Sequence, residues 1–303
     1  MLRHFLLFLS QSRWVRHAVL HFPLARRVAR RYVAGETLEE ALEVTRGLRQ
    51  QGLQVALDLL GENVSRSDAA AEATRDYLAM LDRVHQSQLD CYVSLKLTQL
   101  GLDQGVEGTL ANLLQILERA ESYGIFVRID MEGSPYTEAT LEVFRRARQL
   151  KSNVGVVIQA YLRRSKSDIA TLNRLGGQVR LCKGAYAEPP SVAYQQRGEV
   201  TRNMVDLMHD LIKSGHHPAI ASHDEEVIRA TLKAAQEYGI GPDQFEFQML
   251  YGIRRERQLE LQRQGYQVRI YVPFGSDWYP YFMRRLAERP ANLIFFLTAL
   301  FRG

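Results

Sequence analysis

Residues 91–130 read CYVSLKLTQLGLDQGVEGTLANLLQILERAESYGIFVRID, and their pattern decides the fold. CYVSLKL (91–97) alternates apolar and polar residues and predicts a strand. GTLANLLQILERAESYG (108–124) predicts a helix that closes on a glycine. IFVRID (125–130) alternates again. Two strands joined through a helix make the unit from which parallel sheets are built.

The unit repeats in both directions. Upstream, VALDLL (55–60) is a strand, followed by an Ala-rich helix over 67–88. Downstream come a helix over 137–150, the strand NVGVVIQAY (153–161) and a short helix from Ser167. GQVRLCKG (177–184) precedes a long helix over 192–214, and PAIAS (218–222) precedes EVIRATLKAAQEYG (226–239). QFEFQML (244–250) pairs with IRRERQLELQRQG (253–265), and QVRIYV (267–272) with YPYFMRRLAE (279–288). Eight strand–helix pairs in about 235 residues predict an α/β fold, a (β/α)8 barrel of the TIM type. A doubly wound open sheet is the rival, but no G-x-G-x-x-G follows the first strand and no P-loop is present.

Short helices precede the barrel. Pro23 interrupts the first of them, and 24–33 forms a turn or two before Gly35. Thr37 and Glu40 form a capping box, after which Leu38, Ala41, Leu42, Val44 and Leu48 recur at helical spacing. The chain therefore divides into a helical arm over 1–52 and a barrel over 53–303.

With 46% hydrophobic and 24% charged residues, the 303-residue chain is neither disordered nor a disulfide-stapled miniature. Cys91 and Cys182 sit in apolar runs far apart, which points to a reducing compartment and against a zinc site. No apolar run reaches the length of a membrane span. The net charge of +5 is local. Residues 1–31 hold seven of the 39 basic residues and none of the 34 acidic ones, so the remainder carries 32 against 34. The arginines alternate with bulky residues such as Phe5, Phe8, Trp14 and Phe22. That mixture fits a segment lying on an anionic membrane surface better than a nucleic-acid arm, and no nucleic-acid partner is expected. A secretory signal does not fit, whereas a transit peptide or an arm packed on the body would also match the composition.

In such barrels chemistry sits at the C-terminal ends of the strands. Those ends carry Glu62; Lys96; Asp130 and Glu132; Gln159 and Tyr161; Arg180, Lys183 and Tyr186; Ser222, His223 and Asp224; Gln248 and Leu250; and Tyr271. Lys96, Asp130 and Arg180 interrupt apolar runs, where a charge is costly unless paired. Each alone could be an ion pair inside the barrel; together they predict a polar ligand site. Arg284 and Arg285, between Tyr281 and Glu288, offer rigid donors suited to a carboxylate or phosphate. Tyr186, Tyr271 and Tyr281 could wall a small ring. No His, Cys and Asp cluster has metal spacing, so no metal is expected. The residues alone lead to a barrel enzyme for a small anion. A lyase or aldolase using Lys96 or Lys183 as a Schiff-base amine is one such enzyme.

Several stretches taken together resemble proline dehydrogenase: LDLLGENV (57–64), SLKL (94–97), RIDMEG (128–133), GVVIQAY (155–161), VRLCKGAYAEP (179–189), ASHDEE (221–226), FEFQMLYGI (245–253) and RIYVPFGSDWYPYFMRRLAE (269–288). They run in order over the whole barrel, and the short chain resembles the bacterial single-function type. The resemblance implies a distorted (β/α)8 barrel whose last helix lies over the mouth. It implies non-covalent FAD and oxidation of L-proline to Δ1-pyrroline-5-carboxylate, with electrons passed to a membrane quinone. This places the protein in the cytoplasm, peripherally attached to the inner membrane. It further implies that Lys96, Arg284 and Arg285 bind the proline carboxylate and that Tyr186, Leu250, Tyr271 and Tyr281 line its ring. Asp130 would hold the basic side chains and Arg180 would sit near the flavin N5. Gln159 would face the isoalloxazine, and Met131, Lys183, Gly184, Ala185, Ser222 and His223 would lie along the rest of FAD. Glu62 would pair with Arg285 as a gate. The segment between Gly275 and Tyr281 is shorter than in the bifunctional proteins of the family, so the lid differs in detail.

Overall fold

Strict alternation sorts the strand residues onto two faces, and in this protein the apolar face looks outward. The computed structural model describes residues 29–61 and 67–288. Helix α1 (Leu38–Gln50) leads into β1 (Gln54–Leu59), α2 (Ser67–Gln86), β2 (Tyr92–Leu95), α3 (Val106–Ser122), β3 (Val127–Ile129), α4 (Thr137–Leu150) and β4 (Val154–Gln159). There follow α5 (Ser165–Arg174), β5 (Gln178–Cys182), α6 (Arg197–Ser214), β6 (Ala219–Ala221), α7 (Glu225–Tyr238), β7 (Glu246–Leu250), α8 (Arg255–Arg263), β8 (Gln267–Phe274) and α9 (Trp278–Glu288). The eight strands are parallel and close into a barrel, with β8 pairing β1 from Gln54 opposite Arg269 to Leu59 opposite Phe274.

The registers fix the two faces. Leu57, Val93, Val127 and Val154 lie side by side around the barrel, as do Ile158, Leu181, Ile220, Phe247 and Val268. These residues pack with Tyr77 and Leu81 of α2, Leu113 and Leu117 of α3, and Leu207 and Leu211 of α6 in one continuous apolar shell. Burying each large side chain there contributes about 1.5–3 kcal/mol. The opposite face lines the barrel axis and is largely polar: Asp58 stands beside Ser94, Ser94 beside Arg128, and Gln248 beside Arg269.

The capping box forms as expected, with Glu40 N–H donating to Thr37 Oγ1 at 3.3 Å. Ala41, Leu42 and Leu48 of α1 join the same apolar shell as the strands. One helix begins later than the sequence predicts. Residues 192–196 are not helical because Ala193 pairs with Leu162, and α6 starts only after Gln196.

Helix α9 does not join the outer shell. Trp278, Tyr279, Phe282 and Met283 pack with Ala29, Tyr32 and Val33, and with Leu60, Leu250 and Tyr271 at the C-terminal ends of β1, β7 and β8. The last helix thus lies over the barrel mouth. Residues 29–36 brace it: Ala34 N–H donates to Pro273 O at 2.9 Å, and Trp278 Nε1 donates to Glu36 Oε1 at 3.1 Å. Gly252, at φ +74°, lets this segment pass, since a Cβ there would collide with the Arg31 carbonyl oxygen. The end of the cationic arm is therefore part of the body, and residues 1–28 lie outside the described residues, as does Glu62. No helix among the described residues is long and apolar enough to cross a membrane.

Candidate active site

The C-terminal strand ends and α9 enclose a cavity of about 720 Å³. Lys96, Asp130 and Arg180 all reach it. Arg180 on β5 forms an ion pair with Asp130, which follows β3. Its other terminal nitrogen donates to Ser94 Oγ and to Gln248 Oε1, both at 3.2 Å. The second Asp130 oxygen accepts from the Tyr271 hydroxyl at 2.7 Å. Lys96 Nζ lies 3.1 and 3.4 Å from the two oxygens of Asp58, a fully buried acid on β1.

Burial works against the charge on Arg180, but the Asp130 carboxylate outweighs it and the guanidinium stays above its ordinary pKa. Burial pushes the Asp58 carboxyl up, and the Lys96 charge opposes that rise. Burial and then the Asp130 and Asp58 carboxylates push the Tyr271 phenol well above its ordinary value, so it stays a neutral donor.

The other candidate ligand-binding residues converge on the same cavity. Arg284 places its guanidinium 6.0 Å from the Tyr186 ring, and Arg285, almost fully buried, lies 5.1 Å from the Tyr281 ring. Tyr186, Leu250, Tyr271, Tyr281, Arg284 and Arg285 all line the wall along with Lys96. Met131, Gln159, Lys183, Gly184, Ala185, Ser222 and His223 line it too. Gln159 donates through Nε2 to Met131 O at 3.1 Å, and its Oε1 is buried with no hydrogen-bond partner among the described residues. Lys183 Nζ donates to Asp224 Oδ2 at 2.6 Å and to Thr201 Oγ1 at 2.7 Å. His223 Nε2 accepts from the Leu250 backbone at 2.9 Å, which puts the ring proton on Nδ1. Gly184 adopts φ +103°, and a Cβ there would run into the Tyr161 ring, so the chain presents bare backbone at this wall.

Asp58 was missed by the sequence reading although it interrupts VALDLL as Lys96 interrupts its own strand. Asp58 lies inside β1, which stops at Leu59, whereas Glu62, the polar residue expected at the end of that strand, lies outside the described residues. Ser94 and Thr201 gave no signal. Glu132 turns away from ligand binding, capturing the Thr98 hydroxyl at 2.6 Å and its backbone N–H at 3.1 Å. Both lysines are held by carboxylates, unlike the apolar or cation-flanked pocket that activates a Schiff-base amine.

Residues 41–296 match the proline dehydrogenase family. The chain belongs to that family. It is 41% identical over 302 residues to proline dehydrogenase 1 of Bacillus subtilis (strain 168), spanning the full length of both. It is 39% identical over 281 residues to the proline dehydrogenase of Deinococcus radiodurans, covering 91% of each chain. Among solved structures of the family, proline utilization A (PutA) from Bdellovibrio bacteriovorus, inactivated by N-propargylglycine, superposes with a TM-score of 0.82 at 26% identity. The match covers 87% of this chain and 33% of that longer one.

Proposed function

We propose that this protein oxidises L-proline to Δ1-pyrroline-5-carboxylate, the first step of proline catabolism, with FAD as resident cofactor and a membrane quinone as electron acceptor. One observation supports the reading most directly. A single cavity brings the cationic side chains of Lys96, Arg284 and Arg285 together with the rings of Tyr186, Tyr271 and Tyr281. That is the chemistry of a small cyclic amino acid, whose carboxylate needs donors and whose ring needs apolar walls. The match to the proline dehydrogenase family agrees with it.

The residues fit a flavin. The unpartnered Gln159 Oε1 is an acceptor suited to a ring N–H, and the bare backbone at Gly184 allows close approach of a flat or extended ligand. Gln159 and Met131 would face the ring system, and Lys183, Ala185, Ser222 and His223 the remainder. Bound there, FAD would accept a hydride and pass the electrons on.

The chain's own tasks are orientation and electrostatics. Lys96 and the Arg284–Arg285 pair hold the carboxylate by charge-assisted bonds. Asp58 fixes the Lys96 ammonium, so that group is already placed when substrate arrives. Tyr186 and Tyr281 enclose the pyrrolidine and exclude water. Tyr271 keeps its proton on the phenol oxygen and donates it to Asp130, which fixes Arg180. Arg180 then offers a positive charge at the cavity wall that needs no reorganisation during the reaction. The arginine-rich arm would place the enzyme peripherally on the cytoplasmic face of the membrane, within reach of the quinone.

Purified full-length protein should be yellow, release flavin on denaturation and reduce a soluble dye when L-proline is added. A colourless protein that gains no proline-dependent activity on adding FAD overturns the reading.

A further inference from the structure

Arg180 is gripped from three strands, by Asp130 after β3, Ser94 on β2 and Gln248 on β7. A primary amide such as Gln248 has both a donor and an acceptor end, so its direction needs a cause. Two residues earlier on β7, Glu246 is fully buried and accepts from Gln248 Nε2. Arg269 on β8 holds Glu246 in place, its Nε lying 3.0 and 3.1 Å from the two carboxylate oxygens. Arg269 is itself anchored on Val55 O at 3.1 Å and Gln54 Oε1 at 2.8 Å. Neither Glu246 nor Arg269 takes part in the chemistry described above.

The chemistry of the ends dictates the direction of the middle. A carboxylate only accepts and a guanidinium only donates. An amide between them satisfies both only with its NH2 toward Glu246 and its carbonyl toward Arg180. We propose that Glu246 is a positioning residue that aims the Gln248 carbonyl at Arg180. Strand β7 thereby supplies Arg180 with a fixed but neutral acceptor. Asp130 is left as its hydrogen-bonded carboxylate among the described residues, so the guanidinium at the cavity wall is balanced by one carboxylate and not by two. The consequence for electron transfer rests on the flavin reading above.

Three variants of the full-length chain test this: Glu246→Gln, Gln248→Glu and the double exchange. Glu246→Gln sets its new NH2 against a donor, either the Gln248 NH2 or the Arg269 N–H, and Gln248→Glu sets two carboxylates against each other. The double exchange restores every donor–acceptor pair, because Gln at 246 accepts from Arg269 and donates to Glu at 248, which accepts from Arg180. It also moves the negative charge next to Arg180. Both single variants should melt earlier than wild type, and the double should recover most of the loss. In the double variant the midpoint potential of the bound flavin should move to more negative values, because the added carboxylate offsets the Arg180 charge. Its kcat for proline should fall about tenfold with KM nearly unchanged. A double variant that melts as low as the singles overturns the directional relay. A double with wild-type potential and kcat overturns the role of a neutral acceptor. The melting comparison needs neither flavin nor proline, so a wild-type protein that binds no flavin would refute the proposed function while the relay is still decided.

Discussion

Tyr271 donates its hydroxyl proton to Asp130 Oδ2 at 2.7 Å, and Arg180 occupies the other oxygen of the same carboxylate. Three strands are thereby joined through one acid. Tyr271→Phe removes one of the two donors and leaves a buried carboxylate oxygen unmet, at a cost of about 1–3 kcal/mol. Calorimetry should show a lower Tm with flavin content retained, and kcat/KM for proline should fall. Unchanged kinetics would separate Tyr271 from the chemistry.

Arg284→Met deletes one cation of the proposed clamp and leaves the barrel axis untouched. Steady-state kinetics should show a loss of about 2–4 kcal/mol in kcat/KM for proline, with a parallel weakening of carboxylate-bearing competitive inhibitors. Flavin content should not change. Equal losses for inhibitors with and without a carboxylate would argue against the clamp.

Acid stability should depend on the corner between β6 and α7. Burial alone would raise the Asp224 carboxyl, but the Lys183 bond and charge outweigh it and hold the group below its ordinary value. A carboxyl depressed on folding contributes stability above its unfolded pKa of about 4, and that stability is lost as the pH falls through the folded value. Asp224 also caps α7 by accepting from Glu226 N–H at 3.2 Å. Melting curves of Lys183→Met should therefore fall less steeply than wild type below about pH 4. A slope identical to wild type would show that the pair contributes nothing to acid sensitivity.

Most of the barrel could be read from the sequence because many of its strands alternate and most of its helices end at or just before a glycine. The polar interior was only half legible. Period two tells which face a residue occupies, so Lys96, Asp130 and Arg180 stood out. It does not tell which residues meet across the axis, because that depends on strand stagger and closure. Arg180 reaches Ser94 over 86 positions and Gln248 over 68. Glu246 and Arg269 interrupt their strands as plainly as Lys96 does, but they sit near the strand starts, away from the C-terminal ends where chemistry is expected.

Deleting residues 1–28 should spare the barrel, since Ala29, Tyr32 and Val33 remain to pack against α9. The shortened protein should reduce a soluble dye with proline but fail to co-sediment with anionic vesicles at low salt. Each basic residue near such a surface contributes about 1 kcal/mol, and high salt should weaken binding of the full-length chain. Full-length protein that ignores anionic vesicles would make the arm a packing element.

Glu36 and Trp278, which join the brace to α9, lie 242 positions apart. During synthesis the brace leaves the ribosome long before α9 exists, and every strand of the barrel is made in between. Contacts of such long range form late, after the chain has lost most of its freedom. The arginines of α9 should therefore reach the cavity last. On refolding from denaturant, recovery of helix and sheet by circular dichroism should run ahead of recovery of carboxylate binding. The interval between the two would be the time a finished barrel waits for its cover.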